Sequence, residues 1–592
     1  MESINLYRYF KRLEAFEVGH EHAVTLSDVA GRFFSSPRHT RSILKHLSQA
    51  QWITWVPRAG RNQRSTLIRL LSEGEVKRRI ASQWVKEGKY DRALEFLDND
   101  QVAFGQLLQQ TSGAKITEGR VNVQLTYNRP LTRLVPHIPH RNSERFLNRQ
   151  LYSCLVSMDK SGELKPDVAH HWEVDLSFQV WTFYIRPSVF FDNGDRIDAK
   201  TIKSLLLQLQ QHRYYANELD HLESIDVKPP YVMTINLSRP DRGFAALLTD
   251  LKYSIQPPEQ LTQNDRNIVG SGVFSLNNHS EQVLSLVANE QYFGLRALTD
   301  NVTIWSLDGS VEKVTERDAA CEHRVSPTIK RIEPSSRSTI SHPAIDFEQN
   351  DFVSATSRAR IEDGCLFLLF NQNGRALTYP QRRWLSETLS GENVWHQLTL
   401  DHRTFGAEIA SNFFPFWHNV KRIQTAQPVD LPETIQIAFY AHPGVLRSAD
   451  AAKKILERQG MKVELHLYKF HEFIEKAMGE GFEEELIMSS LNLDDNRQVS
   501  ALLFFLSDPV LHSAIGKQAS DCLISEIDKI RASSKSSDYL RQLEQLGSLL
   551  IHEGLASPMF HHRQTLSFHG ILKGVEITTW GWPQLRDVWS VD

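Results

Sequence analysis

"LYSCLVSMDKSGELKPDVAHHWEVD", residues 151–175, and the stretch that follows it, "VWTFYIRPSVFFDNGDRIDAKTIKSLLLQL" at 180–209, decide the fold. Short runs rich in aromatic and β-branched residues read as strands, and glycine-bearing polar turns separate them. "TIKSLLLQL" places its apolar residues at helical spacing instead. The same alternation of strand-like and helix-like runs starts at "RVNVQLTYN", residues 120–128, and continues through most of the chain. Such alternation predicts α/β construction.

The chain around this stretch has 592 residues, too many for one domain. At about 100–200 residues per domain it should hold three to five structural units. It is 41% hydrophobic, 23% charged and 10% aromatic, which supplies large cores and excludes a disordered chain. Its cysteines, Cys154, Cys321, Cys365 and Cys522, stand far apart and form no C-x-x-C pair. Neither a zinc knuckle nor a redox motif is therefore expected; two disulfides are arithmetically possible, but four thiols in so long a chain fit a reducing compartment at least as well. "MESINLYRYFKRLEAFEVGH" at the start mixes acidic and basic residues and lacks the apolar run of a signal peptide. "LFLLF" at 366–370 and "ALLFFL" at 501–506 have the length of core elements and cannot span a bilayer. A soluble, cytoplasmic protein is the expectation.

The net charge of −4 is unevenly spread. Residues 1–80 hold 14 Lys+Arg against 7 Asp+Glu, an excess of +7, so the remainder carries −11. A basic head on an acidic body points to nucleic-acid contact by the head alone. In the head, "LYRYFKRLEAF" (6–16) has helical spacing at Leu6, Phe10, Leu13 and Phe16. "TLSDVAGRF" opens with a capping box, Thr25 to Asp28. After a break at Phe34 and Ser35, "SPRHTRSILKHL" places Ser36 at an N-cap and Pro37 in the first turn. Ile43, Leu44 and Leu47 give this helix its apolar face. Arg38, His39, Arg41, Ser42 and Lys45 lie towards its start and outer surface. Two short helices with a tight turn, the second rich in arginine, predict a helix-turn-helix whose recognition helix meets base edges with its first turns.

A strand through Trp52, Ile53, Trp55 and Val56, the polar turn "RAGRNQR" and a returning strand "STLIRL" predict a basic wing. Arg58, Arg61 and Arg64 are its candidates for phosphate or minor-groove contact. Residues 73–110 read as two or three further helical stretches. The small, polar "TSGAKITEG" (111–119) marks a boundary. The expected domains are 1–114, a winged helix with a helical extension, and 115–592, with an irregular segment at 315–362.

The body resembles the extracellular solute-binding proteins of the oligopeptide, dipeptide and nickel class, known as family 5. Tyr152, Leu155, Gly162, Leu164, Pro166, Ala169 and Trp172 match the pattern that opens that class. Trp181, Phe183, Ile185, Arg186, Phe190, Phe191, Gly194, Ala199 and Ile202 match the next segment. Gly270-Ser271-Gly272-Val273-Phe274 stands for its Gly-Thr-Gly-Pro-Tyr turn. Asn289, Tyr292 and "LFLLFNQN" with Asn371 continue the series. A winged helix joined to such a body is similar to one group, the SgrR-type transcriptional regulators. These share the "LSDVAGRFFSSPRHTRSILKHL" type of head, a Y-x-R-P-L strand (Tyr127, Arg129, Pro130, Leu131) and a Trp-rich C-terminal segment, "TTWGWPQLRDVW". The resemblance implies a two-lobed, periplasmic-binding-protein-like (type II) sensor beside a DNA-binding winged helix, with sugar-phosphate stress as the best-known setting.

No catalytic constellation stands out. There is no phosphate-binding G-x-x-x-x-G-K-[ST] loop and no G-x-S-x-G elbow. "GSGVF" reads as a tight turn against a lobe. "HEFIE" (471–475) lacks the second histidine of a zinc-protease helix, and the adjacent pairs His170–His171 and His561–His562 diverge in either regular structure. No enzyme activity, cofactor or metal is expected. Peptide-binding relatives carry an acidic motif that pairs a peptide's amine, and the matching place here falls on Asn492, followed by Asp494 and Asp495. That substitution argues against a peptide ligand. An anionic ligand would need donors, and Arg129, Arg141 and Arg149 at the start of the body supply planar guanidinium forks. Arg129, Arg141, Arg149, Asn371, Asn492 and Asp494 are the candidate ligand residues.

The reading is a cytoplasmic DNA-binding regulator whose body senses a small polar metabolite, with an anionic sugar derivative as one candidate effector. Its partners are promoter DNA and that effector; no membrane contact is expected. The competing reading is a transport-associated solute-binding protein with no regulatory role.

Overall fold

A computed structural model describes residues 3–306, 340–341 and 357–590 apart from short stretches at 59–62, 87–88, 101–102, 106, 108–112, 118–119, 128, 160, 216, 229, 374–375, 399–406, 420–429, 569–571, 575 and 577. The chain divides into two compact units, Met1–Ser112 and Gly113–Asp592.

The first unit runs α1 (Ser3–Lys11), β1 (Glu21–Val24), α2 (Leu26–Phe33), α3 (Pro37–Gln49), β2 (Ile53–Val56), β3 (Ser65–Arg69), α4 (Glu73–Lys86) and α5 (Tyr90–Phe96). Local signals start the two central helices. Thr25 Oγ1 accepts from the Asp28 amide while the Asp28 carboxylate accepts from the Thr25 amide. Ser36 Oγ accepts from the His39 amide. Phe33, Ile43, Leu44 and Leu47 bury the faces that pack together. The first helix ends earlier than its apolar spacing predicts. Arg69, a buried residue on β3, donates to the carbonyls of Glu14 and Phe16, so this stretch turns instead of continuing as helix. Leu13 and Phe16 reach the core from those turns. β1 was not anticipated. It is four residues long, carries no alternating pattern, and exists because β3 accepts it as the third strand, in the order β1-β3-β2.

The second unit has two lobes. The first lobe contains a five-stranded sheet in the order β12-β13-β14-β5-β4. Its strands are β4 (Gly113–Thr117), β5 (Arg120–Tyr127), β12 (Phe274–His279), β13 (Val283–Ala288) and β14 (Asn301–Ser306), and β5 and β14 run parallel. The polar stretch read as a boundary supplies β4. An edge strand bonds one neighbour through its backbone and needs no apolar face. The short hairpin β6 (Val156–Met158) and β7 (Leu164–Pro166) leads to an antiparallel sheet, β10-β11-β9-β8, of β8 (Ala169–Val174), β9 (Val180–Ile185), β10 (Leu222–Lys228) and β11 (Val232–Leu237). Helix α6 (Asn142–Leu151) packs on the five-stranded sheet, and α7 (Ala199–Gln210) covers the antiparallel one. Residues 150–152 and 270–273 meet closely. The amides of Ser271 and Gly272 both donate to the Leu151 carbonyl, and a Cβ on Gly272 would lie 2.4 Å from Leu151 C. "GSGVF" is thus a backbone-to-backbone contact.

The second lobe is built on a sheet with the path β15-β22-β17-β21-β19-β20. Its strands are β15 (Ile340–Ser341), β16 (Ser357–Ile361), β17 (Gly364–Phe370), β18 (Ala407–Ile409), β19 (Thr434–Tyr440), β20 (Lys462–Tyr468), β21 (Leu486–Asn492) and β22 (Ala556–Phe568); β16 and β18 pair with β22 off that path. Every residue of β17 is buried, which is why "LFLLF" is continuous rather than alternating. Around the sheet lie α8 (Tyr379–Thr388), α9 (Gly391–Gln397), α10 (Pro443–Arg458), α11 (Phe470–Met478), α12 (Arg497–Ser507), α13 (Pro509–Ile515), α14 (Lys517–Ser533) and α15 (Tyr539–His552). The segment expected to be irregular, 315–362, lies mostly outside the described residues. Its end is a regular strand, β16, paired antiparallel to β22. The chain then returns to the first lobe. Trp580, Trp582, Leu585 and Val588 complete the core of the five-stranded sheet, and Trp582 stacks on Phe146 at 5.2 Å.

Among the described residues no single helix is long and apolar enough to cross a membrane. The bent pair α12–α13 is apolar because it is core: Val499 to Leu506 are all buried.

Candidate functional site: an arginine-bearing winged helix and a cavity between lobes

In the head, the exposed side of α3 presents Arg38, His39, Arg41, Ser42 and Lys45 together. The opposite side, with Thr40, Ile43, Leu44 and Leu47, is buried, so the helix is fixed while its basic face stays in water. The ring of His39 sits edge-on to Tyr9 of α1 at 6.0 Å. Arg58 and Arg64 are exposed at the two ends of the β2–β3 loop, and the Arg58 amide donates to Ser65 Oγ at 3.1 Å. Arg61 lies outside the described residues. The ion pairs among the head's described residues are Lys11–Glu73, Glu17–His20 and Lys77–Asp98, and none uses these cations. Sequence reasoning read Phe34 only as part of the break between the two helices. It ends α2 in a left-handed conformation, φ 49°, and is 85% exposed in the turn before α3. The Arg12 guanidinium lies over its ring at 5.2 Å.

In the body, a cavity of about 440 Å³ lies between the lobes. The first lobe contributes the loop before α6 and its first turn, with Arg129, Arg141 and Arg145. The second contributes Tyr440 at the end of β19 and His442 after it, Phe470 and Phe473 of α11, Asn492 at the end of β21, Asp508 and His562. Trp580 of the returning segment closes one wall.

The candidate ligand residues do not all meet there. Arg129 lines the cavity but is spent on Glu144, at 2.5 and 2.7 Å. Burial pushes the Glu144 carboxyl up, yet the guanidinium outweighs it and holds the group at about 2. Arg149 and Asp494 do not line the cavity. They form an ion pair from lobe to lobe, with Arg149 Nη2 at 2.5 Å and Nε at 3.1 Å from Asp494 Oδ2. Asn371 is structural in its contacts. Its amide donates to the carbonyls of Phe482 and Glu484, 2.7 and 2.9 Å away, and holds the end of β17 in the second lobe. Asn492 lines the cavity with its Nδ2 donating to the Thr579 carbonyl at 2.8 Å.

Arg141 also lines it, and its guanidinium lies 5.4 Å from the Phe470 ring centre. Five residues were not anticipated. Arg145 donates to the Asn492 carbonyl at 3.2 Å. His562 pairs with Glu362 at 2.8 Å. The remaining two are His442, which burial and then the nearby positive charges hold neutral, its pKa pushed down to about 3, and Asp508, which burial pushes up to about 6. No local pattern marks these residues.

Residues 5–119 match the family described as the sugar transport-related sRNA regulator N-terminal domain. Residues 163–333 match the bacterial extracellular solute-binding proteins, family 5. The chain has the SgrR-type domain pairing. Two relatives named HTH-type transcriptional regulator SgrR align with all of this chain and 99% of their own length, each 25% identical, from Yersinia enterocolitica and Photorhabdus laumondii. The body shares its fold with solved binding proteins. Haemophilus influenzae OppA in complex with the peptide RPPGFSPFR covers 81% of this chain and 100% of its own, at TM-score 0.60 and 14% identity. Brucella suis NikA with Fe(III)-EDTA covers 79% and 99%, at TM-score 0.59 and 15% identity. The relatives are named as regulators, the solved structures are binding proteins, and the body has their two-lobed, type II fold.

Proposed function

We propose that this chain is a cytoplasmic, DNA-binding transcriptional regulator that senses a small polar metabolite between the lobes of its body. One observation carries the reading. A winged helix with exposed, unspent arginines shares its chain with an interlobe cavity of ligand size. Small-molecule sites run to roughly 300–1,000 Å³, so this cavity suits a small metabolite better than a long peptide. The N-terminal family is named for regulating a sugar-transport-related small RNA. That name favours a promoter of such a gene as the DNA partner, and an anionic sugar derivative as the effector. Ligand that prefers the closed lobes would shift their equilibrium and with it the head's hold on DNA. In this reading Arg38, His39, Arg41, Ser42, Lys45, Arg58, Arg61 and Arg64 face DNA, and no step is catalytic.

Operator affinity of the whole chain, measured with and without metabolites that raise its melting temperature, tests this. A metabolite that binds the body and shifts operator affinity is the expected result. Stabilisation by a metabolite with no change in operator affinity would reject the sensor role.

A further inference from the structure

The cavity wall holds polar groups that the protein leaves unanswered. Among the described residues, His442 Nδ1 and Asn492 Oδ1 are buried without a hydrogen-bond partner, and both residues line the cavity. Among the described residues Arg141 has no carboxylate within ion-pair distance, and its guanidinium lies against the Phe470 ring. It differs in this from Arg129 and Arg149 of the same segment, while Arg145, which also lines the cavity, is held by the Asn492 carbonyl at 3.2 Å. Arg129 is committed to Glu144 and Arg149 to Asp494. The cavity's other charges are mostly spoken for. Glu362 is bonded to His562, and Lys252 to Glu218. Asp250 and Asp508 accept from the amides of Lys252 and Leu511, and burial raises the pKa of both.

The position of Arg141 matters as much as its lack of a partner. It belongs to the first lobe, at the N-cap of α6, while Phe470 begins α11 of the second. Closing the lobes therefore takes much of this guanidinium out of water without a counter-charge from the described residues. A buried unpaired charge is costly, and a bidentate acid group is the partner that guanidinium geometry fits best.

We propose that an acid group of the effector seats on Arg141 between the lobes and that closure depends on it. Unliganded, the uncompensated charge holds the lobes apart. An acid group cancels that penalty, and His442 Nδ1 and Asn492 Oδ1 take the ligand's neighbouring hydroxyl or amide groups. This rests on the sensor reading and specifies its ligand chemistry: a small organic acid, phosphate or carboxylate, with polar groups beside it.

The test uses the full chain with Cys321→Ser and Leu176→Cys. Fluorophores sit at position 176 in the first lobe and on the native Cys522 in the second; Leu176 and Cys522 are both exposed. The probes are sodium phosphate, sodium acetate, glucose and glycylglycine at ionic strength matched with sodium chloride. Phosphate or acetate should bring the dyes together, and the comparison of the two says which acid is preferred. Arg141→Met should close without any probe, melt higher than the parent, and need about tenfold or more phosphate for any remaining response. Arg141→Lys should restore part of the acid dependence. Should Arg141→Met fold poorly, the lysine variant's weaker but acid-dependent closure still decides. A parent chain that closes with glucose or glycylglycine and ignores both acids overturns the proposal, and a matching shift in operator affinity would then leave the sensor reading intact. Acid-dependent closure through Arg141 with operator affinity unchanged supports the proposal and rejects the sensor reading instead. An Arg141→Met chain that melts lower and stays open also overturns it.

Discussion

Arg149 and Asp494 meet across the two lobes in a buried ion pair, with the Asp494 side chain fully buried and 2.5 Å from the guanidinium. The carboxylate holds the arginine's proton more firmly than usual, although burial works against it. A pair of this kind contributes orientation more than net stability, because desolvation consumes much of the attraction.

Removing one partner should therefore cost far more than removing both. Arg149→Met or Asp494→Leu alone should each destabilise the body by about 3–5 kcal/mol. The double variant should lose much less than the sum. Urea denaturation of the two singles and the double checks this, and additive losses would show that the two side chains act independently.

The head predicts a split between its basic residues. Arg38 and Arg41 stand in the first turns of α3, so alanine there should cost about 1–3 kcal/mol on the cognate site and much less on random DNA. Arg58 and Arg64 flank the wing loop. Alanine there should weaken both DNAs alike and flatten the dependence of affinity on salt. Titrations at several salt concentrations, on specific and random duplexes, separate the two behaviours; equal losses for Arg38→Ala on both DNAs would move it to the backbone-contact group.

Asp508 makes stability depend on pH. Its folded pKa, about 6, lies above the ordinary aspartate value because of burial, only partly offset by the amides it accepts from and by Lys252 and Arg145. A raised folded pKa means that the contribution is complete below the unfolded value near 4 and is lost as pH rises through about 6. Asp508→Asn keeps a capping oxygen for the Leu511 amide and removes the charge. It should raise stability at pH 7 by on the order of 1–3 kcal/mol and do little at pH 4. Melting curves of both proteins between pH 4 and pH 8 check the sign.

Trp582 fills the first lobe's core from the far end of the chain, fully buried, stacked on Phe146, with Nε1 donating to Ser143 Oγ at 3.3 Å. Trp582→Ala should cost about 3–5 kcal/mol. Trp582→Phe, which keeps the stacking and loses the donor, should cost less. Thermal melts of the two variants decide between them.

What could be read from the sequence was what neighbours in the chain determine. The capping box at Thr25 and Asp28, and Ser36 before Pro37, start helices through contacts three residues long, so their positions were visible. β17 was visible as an unbroken apolar run. The early end of α1 was hidden because it depends on Arg69, which lies 53 positions from Phe16. The cavity was hidden for the same reason on a larger scale. Whether an arginine is free for a ligand depends on what faces it, and Arg149 is spent on a carboxylate 345 positions away. Arg129, Arg141 and Arg149 look alike in a string of letters. Only folding makes two of them struts and leaves the third without a counter-charge among the described residues.

The return of residues 578–588 into the first lobe also sets an order for biosynthesis. A ribosome delivers the winged helix first and can release it to fold while most of the chain is unmade. The five-stranded sheet of the first lobe emerges next, yet it must wait, with its apolar face uncovered, through translation of the entire second lobe before Trp580, Trp582, Leu585 and Val588 arrive to cover it. During that interval the nascent chain carries a finished head and an unfinished body. A message broken before codon 578 would leave it permanently in that condition.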